Sequence, residues 1–200
     1  MAQSPISLRI KPNNLAKVVD LMAAIYIRKA VTEDFDKINA IISQAKKLLK
    51  ADGSPQWQDG HPDAQTIKDD IAKQVMWVLI VDGQVAGNAA LILSPEPTYA
   101  TIEAGEWADT TSDYYTIHRI ALSSQFRGQH LTDFFMSNLI SMGIQAGVFN
   151  FRLDTHRLNK RVQHIAEKNG FVQRGIIHVE DAIDDRRLAY ELNLPRLSEK

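Results

Sequence analysis

The sequence predicts one α/β domain, and three observations carry the prediction. First, 200 residues with 44% hydrophobic and 24% charged content and no low-complexity tract fit a single globular unit with a substantial core. Second, the hydrophobic period switches repeatedly between helical spacing and the continuous or alternating pattern of strands. Third, turn signals such as Asp82-Gly83 and Gly170 fall at those switches.

Residues 1–21 are polar and interrupted by Pro5 and Pro12, with a short helical pattern from Leu15 to Met22, and are expected to form an N-terminal extension to a domain over 22–200. Met22 is the expected functional start, because the first strand, Ile25 to Val31, begins just after it. Thr32 is an expected N-cap, followed by Glu33 and Asp34. Phe35, Ile38, Ile42, Ala45 and Leu49 then recur at helical spacing up to Gly53. A second helix follows Pro62 and Asp63, with Ile67, Ile71 and Val75 on one side.

The apolar run Met76 to Val81 and the segment Gln84 to Leu93 form a hairpin about Asp82-Gly83. Ser94 to Ser112 is an unusually long loop, which suggests a functional role. Tyr114 to Leu122 is the next strand. Gly128 opens a helix with Leu131, Phe134, Phe135, Leu139 and Met142 on one face, followed by a strand from Phe151 to Thr155. A helix from Asn159 to Asn169 is stopped by Gly170. The strands Phe171 to Val179 and Arg187 to Leu192 close the chain around the acidic turn Glu180 to Asp185.

Composition removes several function classes. Twenty-three Lys and Arg against 24 Asp and Glu leave no net field to hold nucleic acid or an anionic membrane. With no cysteine, disulfides, thiolate metal sites and a cysteine nucleophile are excluded. No apolar signal region precedes residue 20, and the run Val75 to Val81 is too short to span a bilayer, so the expected location is cytoplasmic. Neither Gly-x-x-x-x-Gly-Lys-Ser/Thr nor Gly-x-Gly-x-x-Gly is present. Asp154 and His156 at i and i+2 make an incomplete metal site and read as a structural hydrogen-bond pair, so no metal is expected.

The informative stretch runs from Ile117-His118-Arg119-Ile120-Ala121-Leu122 through Arg127-Gly128-Gln129-His130-Leu131-Thr132. A strand leading through a basic, glycine-bearing turn into a helix supplies free N–H groups and a positive dipole end, which suit a diphosphate. An ordinary β–α loop containing one glycine fits the same residues.

On these residues, with Leu153-Asp154-Thr155-His156-x-x-Asn159 and Lys168-Asn169-Gly170-Phe171, the sequence from Ile25 to Leu192 resembles the GNAT superfamily of N-acetyltransferases. The resemblance implies a mixed, largely antiparallel central sheet flanked by about four helices, with acetyl-CoA as co-substrate. It places the Arg/Gln-x-x-Gly-x-Gly/Ala pyrophosphate motif on Arg127, Gly128, Gln129, His130, Leu131 and Thr132, where His130 and Thr132 depart from the small residues of the motif. It also implies that backbone groups of Ile120, Ala121 and Leu122 meet the pantetheine arm, that the Leu122 N–H polarises the thioester, and that Asn159 contacts the coenzyme. The implied acceptor is a primary amine of a small molecule, a peptide or a protein terminus, and the implied assembly is a homodimer.

An alkylamine has a pKa near 10.4, so the reaction needs a base. His118 is the first candidate, and a packed, hydrogen-bonded histidine is the other reading of it. Glu103 and Glu106 in the long loop are alternative bases, or solvated carboxylates. Family members place a tyrosine acid seven residues after the Asn, but that position here is Ala166, leaving Tyr190 or solvent to protonate the thiolate. Trp57, Trp107, Tyr99 and Tyr114 are expected near the acceptor or in the core. A non-catalytic module of the same fold, sensing an acyl-CoA or small molecule, is the alternative function.

Overall fold

The computed structural model describes residues 24–180 and 183–196. The expected N-terminal extension over 1–21, the helical pattern from Leu15 to Met22, and part of the turn from Glu180 to Asp185 lie outside the described residues.

The chain forms β1 (Ile25–Lys29), α1 (Phe35–Ala51), α2 (Ala64–Ala72), β2 (Met76–Val81), β3 (Gln84–Leu93), β4 (Tyr115–Leu122), α3 (Leu131–Gln145), β5 (Asn150–Thr155), α4 (Lys160–Lys168), β6 (Val172–His178) and β7 (Arg186–Asn193). Seven strands make one sheet in the order β1-β2-β3-β4-β5-β7-β6. Every neighbouring pair is antiparallel except β4 and β5, which run parallel. This is the mixed, largely antiparallel sheet with four helices that the sequence predicts.

Side chains alternate across each strand, so the sheet has two buried faces. Val78, Ile80, Ala90 and Ala121 face α1 and α2, meeting Ile38, Ile41, Ile42, Ile67 and Ile71. Leu79, Leu91, Ile117, Phe151, Leu153 and Tyr190 face the other way, against Leu131, Phe135, Met136 and Leu139 of α3 and Ala166 of α4. Each of the buried Val, Leu, Ile, Phe and Met side chains among them contributes roughly 1.5–3 kcal/mol.

Three local expectations change. Thr32 does not cap α1. Residues Thr32–Asp34 form a 3₁₀ turn, and the Asp34 carboxylate accepts from the Val31 N–H at 2.9 Å while pairing with both terminal nitrogens of Arg28 at 2.6 and 2.9 Å. The N–H groups that a Thr32 cap would need are taken by main-chain carbonyls of the turn, Asp34 N–H donating to the Val31 carbonyl and Phe35 N–H to that of Thr32. The third helix starts at Leu131 rather than Gly128, because Gly128 (φ 78°) and His130 (φ 56°) are left-handed and cannot continue a right-handed helix. Phe134 lies 36% exposed, and Met136 and Gly143 take core places on α3.

Two irregularities in β4 shape the site. Its register against β3 shifts between Asn88 and Ala90, with Arg119 left-handed at φ 56° in the bulge. The buried Asn88 side chain donates to the Arg119 carbonyl at 2.8 Å and holds the bulge. In addition, β4 pairs with β5 only at Tyr115↔Phe151 and Thr116↔Arg152, so beyond Thr116 the two strands diverge.

Candidate active site

The divergence opens a cleft of about 700 Å³, walled by β4 from Ile117 to Leu122, by β5 from Leu153 to Thr155, and by Asn159 at the start of α4. The connection between α1 and α2 covers it with Gln56, Trp57, Asp59 and His61. Arg127, Gly128 and Thr132 close one end, at the N-terminus of α3.

That end suits an anion. Among the described residues, no protein acceptor meets the N–H groups of Arg127, Gly128, Gln129 or His130, and the helix dipole adds positive potential. A Cβ on Gly128 would meet nothing within 4 Å, so the glycine serves its left-handed φ rather than crowded packing. Along β4, the Ser123 N–H donates to the Ala86 carbonyl at 2.8 Å. Strand alternation therefore turns the preceding N–H, that of Leu122, away from β3 and toward the gap.

At the other end, on the α1–α2 face of the sheet, His118 Nε2 lies 3.2 Å from Glu96 Oε2. Its Nδ1 stands 3.9 Å from Asp154 Oδ1, beyond hydrogen-bond reach. Asp154 instead accepts from the Tyr99 hydroxyl at 2.8 Å. The hydrogen bond to His118 holds the Glu96 carboxyl below its ordinary range, outweighing desolvation. Burial, and then the Asp154 charge, raise the Tyr99 hydroxyl well above 10, so it remains a donor. Beside the bulge, Arg119 Nη1 approaches Asp70 Oδ2 to 3.1 Å, an ion-pair distance without aligned hydrogen-bond geometry. Desolvation raises the Asp70 carboxyl despite this cation.

The structure brings His118, Ile120, Ala121, Leu122, Arg127, Gly128, Thr132 and Asn159 to one cleft. Gln129 and His130 are exposed on the loop, and Leu131 packs into the core. Glu103 and Tyr190 stand elsewhere. Glu103 forms a two-way backbone bridge with Ile176 of β6, and its carboxylate lies near Arg186 at 3.2 Å and His178 at 3.5 Å. Tyr190 is 1% exposed within the core, its hydroxyl pushed up to about 12 by burial first and Glu167 next. Glu106 is exposed on the same loop as Glu103.

Asn159 caps α4, accepting from the Val162 N–H at 3.4 Å and donating to Gln56 Oε1 at 3.2 Å. The same Gln56 oxygen accepts from the Thr155 hydroxyl and the His156 N–H, each at 3.2 Å, tying the covering loop to the β5–α4 turn. Asp154 and His156 do not pair with each other: His156 Nε2 lies 2.8 Å from Asp184 Oδ2. Among the described residues, no cluster of three or more metal-ligating side chains exists. Trp57 lines the cleft, whereas Tyr99, Trp107 and Tyr114 pack together beside it. Sequence reading missed Glu96, Gln56, Asn88 and Arg187, which stand on separate elements and carry no local motif.

A sheet split at one parallel pair, with a free-amide loop at a helix N-terminus across the split, defines a protein able to hold an extended, phosphate-bearing ligand between two strands. The acetyltransferase (GNAT) family model matches residues 42–171, and the chain belongs to that family. A GNAT-family acetyltransferase structure from Streptococcus agalactiae is 37% identical, covers 86% of this chain and 96% of its own, and superposes with a TM-score of 0.79. A GNAT-family acetyltransferase from Listeria monocytogenes is 24% identical over 87% of this chain and 99% of its own, with a TM-score of 0.66. The structure of yncA from Salmonella typhimurium, solved with its cofactor acetyl-CoA, shares the fold at 16% identity, 88% and 97% coverage and a TM-score of 0.61. No curated protein sequence matches the chain. Among the described residues, no helix is long and apolar enough to cross a membrane.

Proposed function

We propose that the protein is an acetyl-CoA-dependent N-acetyltransferase that moves the acetyl group directly to a primary amine of a small molecule or a peptide. The observation that carries this reading is the position of His118 on the β4 wall of the cleft, with Nε2 3.2 Å from Glu96 Oε2 and Nδ1 3.9 Å from Asp154 Oδ1.

The residues fit the co-substrate. The amides of Arg127 to His130 would hold the diphosphate, and the unpaired edge of β4 from Ile120 to Leu122 would take the pantetheine arm. Acetyl-CoA supplies an activated thioester carbonyl. The Leu122 N–H, turned into the gap, donates where negative charge develops on that carbonyl oxygen. With Glu96 accepting from Nε2–H, the tautomer leaves a lone pair on Nδ1, which has no hydrogen-bond partner among the described residues and serves as the base for the acceptor's proton. In balance, an N–C bond forms, the C–S bond breaks with its electron pair left on sulfur, and the amine's proton passes to His118. Solvent supplies the thiolate's proton, since Ala166 stands where a family tyrosine would and Tyr190 is sealed in the core.

The test is calorimetric titration with acetyl-CoA, coenzyme A and a pantetheine control lacking the diphosphate, followed by an acetyl-transfer assay on a panel of amines. Binding that needs the diphosphate, together with turnover of an amine, supports the reading. A second reading, an acyl-CoA-sensing module of the same fold, is favoured by the left-handed, exposed His130 in the phosphate loop. Binding without turnover selects it.

A further inference from the structure

Arg187 lines the same cleft as His118 but takes no part in the transfer chemistry derived above. It is 5% exposed, and the other buried arginine described, Arg152, shows what such a residue normally requires. Arg152 pairs with the buried Glu191 at 3.2 Å and stacks between the rings of Trp107 and Tyr114. Arg187 has no carboxylate within ion-pair distance among the described residues. Among the described residues, its hydrogen bonds all leave from Nη1, to the main-chain carbonyls of Asp184 and Arg186.

Its Nε–H and Nη2–H meet no acceptor among the described residues. These two donors form the parallel fork that matches the two oxygens of a carboxylate. Burial lowers the guanidinium's proton affinity by more than the Asp154, Asp184 and Asp59 charges raise it, as expected of a cation that lacks a direct partner.

Strand alternation places Arg187 on the same sheet face as its i+2 neighbour Ala189, which pairs with Asp154 of β5. That face also carries His118, through Tyr99, which packs with Ala189 and bonds Asp154. The base and the unpaired guanidinium thus look onto one space, bordered by Asp59, Asp154 and Glu180.

Resting on the acetyl-transfer reading, we propose that the acceptor is a small aminocarboxylate, an amino acid or short peptide, whose carboxylate is clamped by the Nε/Nη2 edge of Arg187 while its amine lies at His118. The three bordering carboxylates attract the ammonium end and disfavour a multiply charged anion such as a phosphate. Acetylation then yields the N-acetylated acid, with the carboxylate unchanged.

The test compares free amino acids and dipeptides with their carboxamides as acceptors for the intact protein and acetyl-CoA. The acids should have kcat/KM values higher by roughly tenfold to a hundredfold, the worth of a charge-assisted hydrogen-bonded pair. Arg187→Gln should erase that preference through KM while leaving acetyl-CoA affinity unchanged by calorimetry. Arg187→Lys, which keeps the charge but not the fork, should retain only part of it and guards against a folding defect in the first variant. If amides are acetylated as well as acids, the carboxylate clamp is wrong and the acetyltransferase reading stands. If acetyl-CoA binds but neither acids nor amides are acetylated or shift the melting temperature of the coenzyme complex, the clamp is overturned too. Failure of acetyl-CoA itself to bind would overturn the underlying reading instead.

Discussion

His118 Nε2 and Glu96 Oε2 stand 3.2 Å apart, joining the bulged strand β4 to the loop after β3 across 22 residues of sequence. The pair gives the imidazole one orientation. Thr98 donates to the other Glu96 oxygen from its hydroxyl at 3.0 Å, so the carboxylate is itself fixed. A base held this way loses no time or entropy in finding its tautomer.

Replacing His118 with Ala should lower kcat by roughly 10²- to 10⁴-fold, the usual worth of a positioned base, with the KM for acetyl-CoA little changed. Glu96→Gln should lower kcat less. Steady-state kinetics checks both, and an unchanged kcat in Glu96→Gln would reduce Glu96 to a packing role.

Gln56→Ala should destabilise the protein by about 1–3 kcal/mol in urea titration, because one buried oxygen serves three donors. The loss should appear with weakened ligand binding, since this link seats the loop carrying Trp57, Asp59 and His61 over the cleft. Equal stability of the variant and parent would mean that water replaces the amide oxygen without cost.

The contrast between His118 and its partners explains what was legible in the sequence. A histidine inside an apolar strand is conspicuous, and the Gly128 turn into a helix carries its own backbone requirement. The element order followed from period changes, because each strand and helix writes its spacing locally. Glu96 lies in a stretch that reads as structureless, yet that segment holds a 3₁₀ turn at Pro97–Tyr99 and a buried Tyr99–Trp107 contact. Its order comes from tertiary packing, which no local period records. For the same reason the helical period assigns Phe134 to the core face, whereas Met136 and Gly143 occupy it. A Cβ at Gly143 would come within 2.4 Å of Phe151, a constraint imposed by a strand that follows the helix. Asp154 and His156, neighbours in sequence, serve Tyr99 and Asp184 respectively.

Acid should destabilise the protein partly through Asp34. The hydrogen bond from Arg28 is the main cause of the lowered Asp34 carboxyl pKa, with the Val31 N–H also lowering it against desolvation. The folded value is therefore below the unfolded one near 3.9. The resulting stability is present above the unfolded value and lost as pH falls through the folded one. Asp34→Asn should lower stability at pH 7 and flatten its decline between about pH 5 and pH 2. Chemical denaturation at several pH values measures this, and parallel curves for parent and variant would show that Arg28 and Asp34 are uncoupled.

His130 offers the sharpest separation of stability from binding. Its φ of 56° and ψ of 22° are left-handed, a conformation that costs a residue with a Cβ about 1 kcal/mol and glycine little. Its side chain is exposed and does not line the cleft. His130→Gly should therefore raise stability by only about 0–0.6 kcal/mol, because the greater freedom of glycine in the unfolded chain offsets much of the strain relief. The free N–H groups around it keep their geometry, so acetyl-CoA affinity should stay within about threefold, less than the ~1.4 kcal/mol that a tenfold change represents. Calorimetry with the variant decides between the possible roles of the imidazole. A marked gain in affinity would show that the ring crowds the diphosphate, and a marked loss that it donates to it.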